Sequence, residues 1–277
     1  LSRRAEGDRA AAVLRAIRAY PTLLRIGFAE AVAYRAELLV WMLTTTMPLV
    51  MLALWTAVAR EAPFGRFSST DFVAYYLGAL IVRTVASCWV VWELNMEIRA
   101  GTLSMRLLRP IHPFIAYSAE HLAAIPLRAA VALPIAVLLL VTTGGSRVAS
   151  DPLVVALIPV TLAGGWLILF FSQTILGSLA MVIERSQAMW EIWMGLYAVM
   201  SGYLVPLELM PRWLAGAADW LPFRYMLGFP VEVMIGMADR AATLRGLAAQ
   251  WGMVATLAAL SMLAWRKGLR RFEAYGA

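Results

Sequence analysis

The sequence is poor in the residues on which much enzyme chemistry rests. It contains one cysteine, Cys88, one lysine, Lys267, and two histidines, His112 and His121. A lone cysteine cannot form an internal disulfide, and Cys88 lies in an apolar run where inert packing is its expected role. A P-loop needs Gly-x-x-x-x-Gly-Lys-Ser/Thr, whose lysine reaches the β/γ-phosphates. Lys267 is followed by Gly268 beyond the last apolar stretch, so the chain is not a P-loop ATPase by itself. The histidines stand nine positions apart without supporting ligands, and neither His-Glu-x-x-His nor a Gly-x-Ser-x-Gly elbow occurs. Charge is scarce too, at 15% against about 25% in soluble domains. Against this, 62% of the 277 residues are hydrophobic, and mean hydropathy is +0.73. A soluble enzyme, a disordered regulator and a nucleic-acid-binding module are excluded; the composition is that of an integral membrane protein.

Each crossing takes about 20 apolar residues, so the length holds roughly six with little left within these residues for a soluble domain. The expected fold class is an all-α membrane protein with six transmembrane helices. The spans are placed near Leu38–Ala59, Phe72–Trp92, Phe114–Val141, Leu153–Ile183, Met189–Gly202 and Ala242–Ala264. Pro48, Pro126 and Pro134 fall inside them, and the fourth is long enough to tilt or project. Residues 1–277 are read as a single transmembrane domain. Within 1–35, Val13, Leu14, Ile17, Tyr20, Leu24 and Phe28 recur at helical spacing opposite Arg15, Arg18, Thr22 and Arg25. That suits a helix lying in the membrane interface with its arginines toward anionic headgroups, or one packed on protein. Pro21 is expected to bend or break it. The chain opens on Leu1 rather than Met, so a few residues are expected ahead of it.

The net charge is +7 and the pI near 10, which in a soluble protein would point to nucleic acid; here nucleic acid is not expected, because basic residues mark the cytoplasmic side. With the N-terminus inside, 15 basic residues fall on cytoplasmic pieces and 7 on outer ones. Both termini are therefore expected in the cytoplasm, and the arginine bias hints at a GC-rich bacterial source.

Two connections are unlike solvated loops. The cytoplasmic stretch 93–113 mixes Ile98, Leu103, Met105, Leu107 and Leu108 with Arg99, Arg106 and Arg109. Gly101 is expected to interrupt a helix there, and Thr102 to cap a short amphipathic one running to Leu108, a docking element or an interfacial helix in a solvated loop. The outer stretch 203–239 is apolar but punctuated by Pro206, Pro211, Pro222 and Pro230. It reads as short helices dipping into the outer leaflet, with Trp213, Trp220 and Tyr225 suited to the interface.

Ionisable and polar residues at membrane depth are Arg83, Glu120, His121, Arg128 and Glu191, with Ser172, Gln173 and Thr174 forming a collar. They admit a proton or ion relay, as in a secondary transporter, or structural interhelical contacts such as Glu120 with Arg83; the lack of a second deep acid favours contacts. No internal repeat supports a secondary transporter. A non-transporting scaffold or sensor has a similar composition.

The run Glu97-Ile98-Arg99-Ala100-Gly101-Thr102-Leu103, followed by Leu107-Leu108-Arg109-Pro110, resembles the loop after the second span in permeases of the ABC-2 family of ABC exporters. Gly202, Pro206, Leu209-Met210-Pro211, Trp213-Leu214, Leu221-Pro222-Phe223 and Gly236 are similar to the family's re-entrant outer helices. The resemblance implies a permease subunit in the bacterial inner membrane that pairs with a second permease, identical or paralogous, and rests on two ABC ATPase subunits. ATP and Mg would be bound by those ATPases and no cofactor by this chain. It implies a coupling helix using Glu97, Arg99, Gly101, Thr102, Leu103, Arg106, Leu107 and Arg109. It also implies an outer gate using Pro206, Pro211, Trp213, Pro222, Phe223 and Tyr225. Outward transport of an amphipathic, lipidic or drug-like cargo is expected.

Overall fold

A computed structural model describes residues 2–36, 40, 47–143, 145–183 and 186–275. All its regular elements are helical, as the apolar periodicity requires. In order they are α1 (Ser2–Ala33), α2 (Met47–Val58), α3 (Ser69–Val85), α4 (Val90–Ala100), α5 (Leu103–Leu107), α6 (Pro113–Ala123), α7 (Ile125–Thr143), α8 (Pro152–Leu179) and α9 (Ser186–Met200). A 3-10 turn at Leu207–Leu209 leads into α10 (Arg212–Ala218), α11 (Pro222–Met226), α12 (Gly228–Met234) and α13 (Arg240–Tyr275).

Four stretches are long and apolar enough to cross a membrane: Ser69–Ala100, Pro113–Thr143, Pro152–Leu179 and Arg240–Phe272. They match the expected second, third, fourth and sixth spans. The other two are not among these four, and their described helices are shorter. Of the first, residues 40 and 47–59 lie within the described residues, where Met47–Val58 forms a helix, and 38–39 and 41–46 lie outside them. The fifth, α9, has 15 residues, fewer than a full crossing needs.

The helices depart from the expected boundaries for local reasons. Pro21 leaves α1 unbroken through 32 residues, and α1 packs on α6. Gly27 allows this approach, since a Cβ there would come within 2.9 Å of the Ala123 Cβ. The Tyr20 and Ser118 hydroxyls meet at 3.2 Å. The second span breaks at residues 86–89, where neither glycine nor proline is present. Two distant side chains take up the freed backbone groups. Gln173 donates to the Cys88 carbonyl at 2.8 Å and accepts from the Val91 N–H at 3.3 Å, and the Arg128 guanidinium donates to the Ser87 carbonyl at 2.6 Å. The last helix runs past the apolar stretch through Arg266, Lys267, Arg270 and Arg271 to Tyr275.

The largest core lies between α3, α8, α13 and the segment 203–239. There α8 and α13 form the most extensive helix pair, joined by Gln250, which donates to the carbonyls of Thr161 and Tyr225 at 2.9 Å each. Gly165 lets α8 approach the Tyr225 and Met226 carbonyls. A second core, around Leu94, Leu103, Phe114, Phe170 and Trp265, supports the hairpin at 93–113.

Candidate functional site

The hairpin between the second and third spans is the chain's most distinctive surface. As expected, Gly101 ends α4, in the left-handed conformation at φ +73° that glycine accepts readily. Thr102 does not cap the next helix: its hydroxyl donates to the Glu97 carbonyl at 3.5 Å, and α5 is only five residues long.

The charged residues split into two groups. Arg99 and Arg109 are exposed. Arg106 instead turns inward and joins three elements. It donates to Glu97 of α4 at 2.7–3.1 Å and to Glu120 of α6 at 2.9 Å, and its guanidinium lies 4.1 Å over the Tyr117 ring. The Tyr117 hydroxyl closes the network by donating to Glu97 at 2.6 Å. Burial alone would lower the Arg106 pKa, but the hydrogen bonds of Glu97 and Glu120 outweigh it and the pKa is raised. Arg106 is thus a fixed cation.

The apolar residues of the hairpin divide the same way. Leu103 is fully buried and Leu107 partly so, and they fasten α5 to the protein. The exposed apolar groups are Met96 and Met105, each 68% exposed, and Leu108, at 82%. Sequence spacing alone did not separate these sets, since the 101–109 run is too short to show a periodic face. At the hairpin's far side, His112 caps α6: its Nδ1 accepts from the Phe114 N–H at 3.2 Å. Burial, and then the charge of Arg266, hold the imidazole below its ordinary pKa.

Glu120 therefore pairs with Arg106, not with Arg83. A long guanidinium beyond Gly101 reaches back to it, a contact that span-by-span reading overlooked. His121 lies 3.3 Å from Glu93, Arg128 and Gln173 hold the break in the second span, and Glu191 is exposed. Arg83 has no hydrogen bond or ion pair among the described residues. It lies 4.5 Å from the Tyr203 ring centre and 5.9 Å from that of Tyr197. Tyr197 continues an aromatic column through Trp193 and Trp190 along α9, with centroid spacings of 5.7 and 5.0 Å.

In the outer segment, Pro206, Phe223 and Tyr225 are buried, Pro222 is partly buried, and Pro211 and Trp213 are exposed. Tyr225 turns inward, its hydroxyl donating to the Asp219 carbonyl at 3.0 Å, while Trp220 is 85% exposed. The segment is tied to the second span by Tyr75 donating to the Gly202 carbonyl at 2.9 Å and Tyr76 to the Leu204 carbonyl at 2.8 Å. Within it Arg224 bridges Asp219 and Glu232, the latter at 2.9 Å. Among the described residues no group of His, Cys, Asp and Glu is arranged to hold a metal.

Comparison with curated proteins gives no match. A family model described as ABC-2 family transporter protein matches residues 40–276, from the expected first span to the end of α13. The match covers both irregular segments and leaves α1 outside it. The chain is a membrane protein of the ABC-2 transporter family.

Proposed function

We propose that this chain is the permease subunit of an ATP-driven exporter, with the 93–113 hairpin as the surface on which an ABC ATPase docks. One observation carries the reading: a short helix exposes Met105 and Leu108 beside Arg99 and Arg109 while Arg106 anchors it from behind. Apolar residues exposed at an aqueous surface favour a partner, and a support of three bonded elements would pass movement of α5 into the second and third spans. Leu103 and Arg106 then serve as anchors, and the contact falls to Met105, Leu108, Arg99 and Arg109, with Leu107 partly available.

In this reading ATP and Mg belong to the ATPase, of which two copies serve a pair of permeases, identical or paralogous. The topology is six crossings with both termini cytoplasmic in a bacterial inner membrane; α2 and α9 are the two short ones. The helix α1 lies along the inner interface, its exposed Ile17, Ile26 and Phe28 toward lipid. The 203–239 segment is a re-entrant outer gate. The column from Trp190 to Tyr203, largely buried with Arg83 beside it, would line the path of an amphipathic cargo moving outward. Co-purification with an ABC ATPase encoded beside it, followed by ATP hydrolysis with and without candidate amphiphiles, tests the assignment. Failure to bind any such ATPase would reject it.

A further inference from the structure

At the end of the bundle opposite the hairpin, the chain enters α3, α8 and α13 around a cavity of about 530 Å³. Three arginines line it, Arg66, Arg147 and Arg240, together with Asp71, Asp151 and Asp239. The formal charges are equal in number, but they are not equally free.

Each aspartate is committed to the helix it precedes or begins. Asp71 accepts from the Ser68 N–H at 2.9 Å and from its hydroxyl at 2.6 Å. Asp151 accepts from the N–H groups of Leu153 and Val154 at 2.8 and 3.4 Å, and Asp239 from that of Ala242 at 2.7 Å. The arginines keep more of their donors. Arg147 makes one ion pair, with Asp71 at 2.8 Å, and remains half exposed. Arg66 pairs with Glu208 yet is 62% exposed. Arg240 has no ion pair or hydrogen bond among the described residues. It stands in the first position of α13, where the helix dipole disfavours a cation. An anion in the cavity would reverse that penalty and meet donors from three separate parts of the chain.

We infer that this cavity binds a phosphate group, presented by a lipid headgroup or by a soluble phosphate, with Arg240 and Arg147 as its principal donors. Guanidinium forks suit the planar faces of phosphate oxygens and give charge-assisted bonds. The site is independent of ATPase docking and lies at the other end of the molecule, so its test needs no ATPase.

The probes are dioleoylphosphatidylglycerol, dioleoylglycerol and inorganic phosphate, applied to the purified chain in neutral detergent. Native mass spectrometry reads lipid retention, and calorimetry reads phosphate. Phosphatidylglycerol should be retained in preference to dioleoylglycerol, and Arg240→Gln should weaken that retention about tenfold without lowering the melting temperature. Arg240→Lys should restore part of it. Binding of inorganic phosphate alone, weakened by the same variant, assigns the site to a soluble phosphate. Equal retention of the two lipids with no phosphate binding overturns the inference, as does binding of either probe that Arg240→Gln leaves unchanged.

Discussion

The two irregular segments of the chain, 93–113 and 203–239, distribute polar and apolar groups in opposite ways. The 203–239 segment turns most of its apolar residues inward, leaving Trp213 and Trp220 exposed: Leu227, Val231 and Val233 have no exposure, and Phe223, Met226 and Phe229 almost none. Several of its charges pair, Arg224 with Asp219 and Glu232 within it and Glu208 with Arg66 outside it. The 93–113 hairpin turns its polar network, Glu97–Arg106–Glu120, inward to partly buried positions and exposes Met96, Met105 and Leu108. The difference separates structure from contact. The stretch from Phe223 to Val233, whose apolar residues are already covered, has its packing partner within the chain. One that fixes its charges and leaves its apolar residues bare is built to meet something else.

The largest effect should come from breaking the polar support. Arg106→Met leaves Glu97 and Glu120 facing each other without a cation in a mostly buried site, and should cost about 3 kcal/mol. Chemical denaturation in detergent measures it, and an unchanged midpoint would mean that the network carries no stability. On the outer side the tie points are single hydrogen bonds. Tyr75→Phe leaves the buried Gly202 carbonyl unpaired and should cost about 1 kcal/mol by the same measurement. A cost equal to that of Arg106→Met would erase the distinction between the two segments.

Acid should act selectively on the hairpin. The His112 pKa is lowered by burial and by Arg266, so the folded state prefers the neutral ring. The stability this contributes is complete above the unfolded pKa of about 6.5 and is lost as pH falls through the lower folded value. Protonation also removes the Nδ1 acceptor from the Phe114 N–H, a cap worth about 1 kcal/mol. His112→Asn should keep a cap and flatten the dependence between about pH 7 and pH 5, followed as melting temperature. An unaltered pH profile would assign the acid sensitivity to other groups.

Much of this architecture was legible in residue patterns. Apolar runs of about 20 or more residues locate the four long helices, with ends such as Ala100 and Phe272 lying about two turns beyond the expected Trp92 and Ala264, because length and hydropathy are local properties. Gly101 marked the hairpin's break, since a left-handed residue after a helix calls for glycine. The break at 86–89 gave no such sign. It exists because Gln173 and Arg128, 85 and 41 residues away, supply the missing hydrogen bonds. Leu103 and Arg106 looked like surface residues for a related reason: whether a side chain on a five-residue helix faces in or out is decided by α4 and α6, not by its neighbours in sequence. Pro21 was the opposite case, a local signal overridden, with α1 continuing through it along α6.

The smallest stability effect belongs to the substitutions with the largest functional consequence. Met105→Glu and Leu108→Glu fall on exposed positions, so melting should stay within about 0.5 kcal/mol of the parent. Co-purification of the Met105→Glu/Leu108→Glu double variant with an ABC ATPase that the unaltered chain retains is the most direct test of the account. The hairpin reading predicts that the unaltered chain retains the ATPase and that the folded double variant loses it. Full retention by that variant would contradict the assignment of the hairpin as the docking surface.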